Sequence, residues 1–523
     1  MNYKRINDFK NKDGDEYTSA VMIESGDFSR EYQEDYLLPD YLPDAKKVLK
    51  FVCKPVIESA FMGNSTLEFT GSVFMKVLYL SEQSKLCSAG FSMSFEDKIS
   101  NENITDDCVD LLLPKVYSAS CRLQNPRKFN VRIKCGGEAE IWKRVSYLPE
   151  VYGGQSRDDM ASVQTNPVLT EGMWVLSVKE DEMSFSEDIP LDKSMADIEE
   201  IIFSSSDITF DECRGGNNEI ICKGSLDVRI LYRGTDGMDY YLKKSLPVSA
   251  NLNASGLGDE SCPIVYAFEK PLDINVIEDE FGARRIFGIE MDYTIQAECF
   301  SKKEMYLTTD GYSTEKDWVN NYHVRDIYSK GQKVNGGFSV NEGIGLDDIG
   351  ISSADKIVYY TCTPKLNVSS EGGKKERMIF EGECEMELIM AKEDGNVYPV
   401  SFRIPIKYES EKPFADKNGL ICKCNAKATG VRLRTDESKV YVDMEIGFCA
   451  VSVEKNSRQL LESMRLVPSS SKKDQTGGCV VLCYPSKDDD IWSVAKKYRV
   501  RREDIASVNK ISDEMPKVVR IPR

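Results

Sequence analysis

One histidine stands in 523 residues, His323 in the polar stretch WVNNYHVRD. Histidine is the commonest metal ligand and general base, so a single copy in a polar stretch argues against most zinc chemistry and most Ser-His or Cys-His nucleophiles. Its surroundings fit an exposed linker better than a catalytic centre. The 16 cysteines come next. Cys422 and Cys424, in ICKCNAKA, face one side of a strand. A metal site needs a second pair, and Cys362 and Cys449 stand nearest, without a repeated Cys-x-x-Cys spacing. Ordinary packing is expected there, and equally at Cys479 and Cys483. The glycine-rich run GGFSVNEGIGLDDIG (336–350) lacks the Lys-Ser/Thr of a phosphate-binding loop. With 86 Asp plus Glu, carboxylate pairs occur everywhere and no glycosidase dyad stands out. These residues predict no enzyme, no metal site and no cofactor.

The elements behind them are mostly strands. Hydrophobic residues at 41% and aromatics at 10% are ample for buried cores, and the length suggests roughly three or four domains. A net charge of −18 argues against nucleic acid and anionic membranes as partners. The opening MNYKRINDFKNKDGDEY has no apolar core, which predicts no secretory leader, and no run of about 18 apolar residues predicts a membrane span. Most cysteines are single apolar positions in strand-like runs, such as Cys53, Cys222 and Cys384. Reduced thiols in a cytosolic chain are therefore expected. Trp142, Trp174 and Trp318 lie near the junctions described below and are expected to pack there.

One strand pattern recurs. Gly71-Ser-Val-Phe-Met-Lys-Val-Leu-Tyr79 matches Gly224-Ser-Leu-Asp-Val-Arg-Ile-Leu-Tyr232, and Gly382-Glu-Cys-Glu-Met-Glu-Leu-Ile-Met390 is a weaker third copy. Apolar and polar residues alternate after each glycine, as in a half-buried strand. Apolar doublets at Val48, Ile201 and Val358 precede the glycines at nearly matched distances, and a turn and another alternating strand follow each copy. Between the copies, 151–175 and 311–345 read as linkers. The Ser-, Lys- and Gly-rich run 467–478 reads as a flexible tether.

These repeats, with the lead-in EYQEDYLLPDYLPDAKKVL (31–49), resemble the SPOCS domain of clostridial spore-coat proteins over residues 31–455. The last residues, 479–523, resemble a LysM domain. There Val480–Tyr484 stands for the first strand, Ile491–Tyr498 for an amphipathic helix, Glu503–Asn509 for a second helix and Val518–Pro522 for the last strand. The expected fold is mainly β: three SPOCS-like β-sandwich-type domains and a small C-terminal βααβ LysM domain. Its divisions are an N-terminal arm (1–35), repeats at 36–150, 176–310 and 346–466 separated by the two linkers, the tether, and the LysM domain.

The resemblance implies a non-enzymatic scaffold of the mother-cell cytoplasm. It would sit at the forespore surface and link the coat ATPase, stage IV sporulation protein A, and other coat proteins through its LysM domain. The alternative is a peptidoglycan- or cortex-binding LysM protein. LysM domains commonly bind N-acetylglucosamine glycans, but here Asp488-Asp489-Asp490 replaces the family's Gly-Asp-Thr and Met515-Pro516-Lys517 replaces its Pro-Gly. Arg501 stands at the cap of the second helix, where Ser or Thr is usual. A protein partner is therefore expected over glycan. The partner-binding candidates are Val480, Tyr484, Ile491 and Trp492, with Asp489 and Asp490 steering a basic surface and Asn509 closing the second helix. Trp492 is either the docking hot spot or the filler of the module's core.

Overall fold

Each of the three glycine-led runs is the middle strand of a three-stranded meander. The computed structural model describes residues 18–522 apart from 155, 255–256, 258–260, 372–376, 414–419, 469–479, 487–488 and 512–515. In the first unit β1 (Thr18–Leu37) precedes the meander β2 (Ala45–Met62), β3 (Thr66–Ser81) and β4 (Leu86–Ser100). It is completed by β5 (Cys108–Asn125) and β6 (Lys128–Ser146). A short strand β7 (Glu150–Tyr152) and helix α1 (Arg157–Ala161) lead to the second unit. That unit has β8 (Val163–Pro190), the meander β9 (Ile198–Gly216), β10 (Glu219–Gly234) and β11 (Asp239–Asn253), then β12 (Ser261–Glu269), β13 (Asp273–Glu278) and β14 (Arg284–Ser313). The third runs β15 (Asp317–Gly345), helix α2 (Leu346–Ile349), the meander β16 (Lys356–Glu371), β17 (Arg377–Ala391) and β18 (Val397–Pro413), then β19 (Leu420–Thr435) and β20 (Lys439–Val467). The tail is β21 (Val480–Cys483), α3 (Ile491–Tyr498), α4 (Arg502–Asn509) and β22 (Val519–Pro522). Strand makes up 76% and helix 6%, so the chain is mainly β and no unit is a helical bundle.

The three units share one strand order. A meander forms one sheet, and the last strand of each unit (β6, β14 or β20) returns antiparallel between the unit's first strand and its partner. In the second unit that partner is broken in two, β12 and β13, with Pro271 in the gap, as expected for a residue that cannot donate to a ladder. Both sheets of a unit feed one core. In the first, Leu67, Val73, Met75 and Phe95 from the meander meet Phe28, Leu112, Val131 and Ile141 from the other sheet. Gly71, Gly224 and Gly382 have a common cause: a Cβ at each would collide with the carbonyl oxygen of Val56, Thr209 or Lys365 on the neighbouring strand.

The segments 151–175 and 311–345 are strands more than linkers. They hold most of β7, α1, the start of β8 and all of β15, and the described part of the 1–35 arm is β1. Their polar, glycine-rich composition is that of first strands whose ladder is completed far away in sequence: β15 pairs with β20 from Asp317↔Val467 to Gly345↔Lys439. His323 pairs with Leu460 in that ladder and is exposed, in a strand and not in a linker.

Alternation in the central strands has a second consequence. Val73 and Met75, Val228 and Ile230, and Met386 and Leu388 fill the three cores. Parts of the opposite faces meet the other units. Leu78, Leu231 and Ile389, which occupy the same place after their glycines, join one buried cluster with Phe203 and Tyr359. A second shared cluster brings together Trp142, Phe300, Tyr328 and Val453. The Trp142 ring stands edge-on to Tyr328 at 5.0 Å and to Phe300 at 6.0 Å, so all three units contribute one aromatic.

Ionic ties join the same faces. Lys423 of the third unit donates to Glu140 of the first (2.5 Å) and to Glu298 of the second. Glu298 is wholly buried, and its second oxygen has no hydrogen-bond partner among the described residues. Burial, opposed by Lys423 and aided by Glu140, pushes its carboxyl up to about 7. Lys50 pairs with Glu387, Lys54 with Glu269, and Lys427 with Asp227 at 3.3 Å, each across a unit boundary.

Candidate functional site

The tail folds as β21–α3–α4–β22, with the two strands antiparallel from Val480↔Pro522 to Cys483↔Val519. Asp490 caps α3: its side chain accepts the Ser493 backbone N–H (2.7 Å), and the Asp490 N–H donates to the Ser493 hydroxyl (3.1 Å). Lys496 and Lys497 stand in the last turn, where the helix dipole favours cations. Arg499 ends the helix in the left-handed region (φ 54°). No side chain caps α4 at Arg501; Glu503 and Asp504 supply negative charge to its first turn instead. The Asn509 side chain donates to the Ile505 (2.8 Å) and Arg520 (2.6 Å) carbonyls and accepts the Arg520 N–H (2.7 Å), which clips α4 to β22.

Cys483, Trp492, Val494, Ala495, Ile505, Val519 and Ile521 form the head's core, and Tyr312 of β14 is buried in the same cluster. The head is thereby seated on the corner between β14 and β15. The Trp492 ring lies edge-on to Tyr312 at 4.9 Å, and the Tyr312 hydroxyl donates to the Val500 carbonyl (2.7 Å). Asp310 collects donors: Trp492 Nε1 (2.9 Å), Lys496 Nζ (2.7 and 2.8 Å) and the Tyr322 hydroxyl (2.7 Å). Burial raises the Asp310 pKa, but these donors outweigh it and hold the carboxyl below its usual range. Arg499 pairs with Asp317 and lies 5.0 Å from the Trp318 ring centroid.

Each residue expected to bind a partner can now be placed. Trp492 is 8% exposed and spent on the core and the seat, so it presents no free hot spot. Ile491 is partly buried against the same core. Asp490 is a helix cap, and Asp489 accepts the Ser486 N–H (2.8 Å), so both carboxylates serve local turns. Asp488 lies outside the described residues. Asn509 is a structural clip. Tyr484 is 74% exposed. Val480 opens β21, and its strand neighbour Leu482 pairs with Arg520 and is 56% exposed. Cys483 and Val519 are buried on the opposite side of the hairpin. Among the described residues, Leu482, Tyr484 and Val518 around the hairpin, with Val508 on α4, are the large apolar side chains the head shows to solvent.

The signal for the seat was present as Tyr312 and Trp318 in a run read as linker, but the pairing that brings them to the tail is not local. Cys422 and Cys424 pack with Phe380, Phe448 and Ala450. Among the described residues no group of three or more His, Cys, Asp or Glu is placed to hold a metal ion. Nor is any helix among them long and apolar enough to cross a membrane. No family model matches the chain, and neither a curated protein nor a solved structure does.

Proposed function

We propose that the chain is a non-enzymatic assembly scaffold of the SipL type, built from three SPOCS-like units and a LysM-like head. In this reading it works in the mother-cell cytoplasm and links stage IV sporulation protein A, the coat ATPase, to the forespore surface. One observation carries it: the same two-sheet strand order occurs three times and is followed by a βααβ tail. This repetition supports reading the chain as repeated β units that carry a small terminal module. The ties between units also suit a rigid support better than a machine that opens and closes. The partner then docks on the outer face of β21–β22, because Trp492 is committed to the seat. Leu482 and Tyr484 supply apolar contact there, and tyrosine is a frequent anchor in interfaces.

The test is capture of purified stage IV sporulation protein A by the full chain, with Leu482→Ala/Tyr484→Ala as the variant. Loss of capture with unchanged melting supports the reading. Full capture by the double variant would move the docking face elsewhere. Co-sedimentation with peptidoglycan without capture of the ATPase would favour the cortex-binding alternative and overturn the scaffold reading.

A further inference from the structure

The central strands of the three meanders carry a charge at one equivalent position after the glycine: Lys76, Arg229 and Glu387. Two of the three are neutralised. Arg229 pairs with Asp207, and Glu387 pairs with Lys50. Lys76 is different. Its ammonium donates to the Ser204 hydroxyl (2.7 Å) and sits 5.5 Å from the Phe203 ring centroid. No carboxylate among the described residues is within ion-pair distance of it. Lys76 also lines a cleft of about 440 Å³ between the first and second units, within the range of small-molecule sites. Phe74 and Val52, on the same sheet face as Lys76, line it from the first unit, and Pro271 and Leu272, in the gap between β12 and β13, line it from the second. The broken partner strand of the second unit thus opens space just where the unmatched cation stands.

We propose that this cleft binds a small amphiphilic carboxylate, its headgroup on the Lys76 ammonium and the Ser204 hydroxyl, its apolar body against Val52, Phe74 and Leu272. The charged groups around the cleft leave that role to Lys76. Lys54 on β2 is engaged by Glu269 of β12 and by the Ser206 carbonyl. Glu269 also accepts from Ser206 and the Ile208 N–H. Asp207 is held by Arg229. Asp273, at the start of β13, acts on Lys76 only from a distance and favours its charged form. Burial lowers the Lys76 pKa to about 8 despite Asp273. A ligand carboxylate would supply the missing counter-charge and raise that value again. A neutral or cationic ligand of the same size would not.

The experiment titrates the full chain with octanoate, using octanol and octylammonium as controls, by calorimetry and by NMR. Octanoate is expected to bind at least about tenfold more tightly than either control. Its affinity should fall as pH rises through about 8, because the ammonium is lost. Lys76→Met keeps the side-chain stem and removes an uncompensated charge, so it should fold and lose about tenfold in octanoate affinity. Leu272→Trp fills the cleft without touching Lys76 and should block octanoate equally. Undiminished affinity in either variant, or no octanoate binding to the parent chain, overturns the proposal.

Discussion

Where the three units meet, ion pairs across the boundaries accompany two apolar clusters, and every unit contributes to each cluster. Where the head meets the body, one carboxylate, Asp310, gathers donors at the rim of a single strand corner, and one tyrosine enters the head's core. The first contact is made of strands that are also sandwich walls, so it cannot be undone without exposing core. The second involves one corner and a small domain with its own caps, clip and hydrophobic centre. Burial acts on both, with opposite electrostatic results: it leaves Glu298 hard to ionise, whereas Asp310 has enough donors to stay charged.

The largest effect expected from breaking this contrast is Lys423→Met. It leaves Glu140 and Glu298 facing each other without a cation, and losing one partner of a buried ionic group costs about 3–5 kcal/mol. The midpoint of urea unfolding of the whole chain should fall accordingly; a change below about 1 kcal/mol would mean these ions behave as a surface pair. Asp310→Asn should cost less, about 1–3 kcal/mol, and locally. Hydrogen exchange should rise at 310–318 and 491–510 while β3, β10 and β17 stay protected. Uniform acceleration would show that the head is part of the body's cooperative unit.

Changing pH sharpens the comparison without mutation. The Asp310 carboxyl is depressed in the fold, so its contribution is present above the ordinary aspartate value of about 3.9 and is lost as pH falls below it. Glu298 is raised, so its effect has the other sign. The folded chain holds a proton the unfolded chain has released, and the body loses stability as pH rises from about 4.3 towards about 7. Exchange protection of the two regions, corrected for the intrinsic pH dependence of amide exchange and measured across pH 3–8, should therefore move in opposite directions, and in Glu298→Gln the body's dependence over the upper part of that range should flatten. Smallest is the effect of Tyr484→Ala, which touches neither contact and should shift melting by no more than about 0.5 kcal/mol.

The middle strands and the tail were legible because their signals are local. A glycine followed by strict alternation gives β3, β10 and β17, and Asp490 with a run of apolar positions at helical spacing gives α3. The polar residues of that same alternation misled, since Lys76 and Arg229 look like a solvent face and are instead largely covered, while Glu387, half exposed, pairs with Lys50 of the first unit. Residues 311–345 looked like a linker because glycine and asparagine are poor strand formers; β20, far along the chain at Lys439–Val467, supplies the pairing that overrides propensity. Trp492 was readable as either core or contact, and it serves as core. The choice depends on Asp310 and Tyr312, whose position beside the tail no local pattern encodes.

The three residues of β7 follow the first unit yet pair in parallel with β20 of the third, from Glu150↔Ser463 to Tyr152↔Arg465. The junction after the first unit is thus fastened by a strand that leaves the ribosome roughly three hundred residues later. During synthesis the first two sandwiches can form as they emerge, but Trp142 and Glu298 must wait, half-covered, for a partner still being translated. Contacts this distant in sequence close slowly. A chain that ends early would keep an aromatic and a carboxylate on show, a molecular signature by which unfinished copies differ from finished ones.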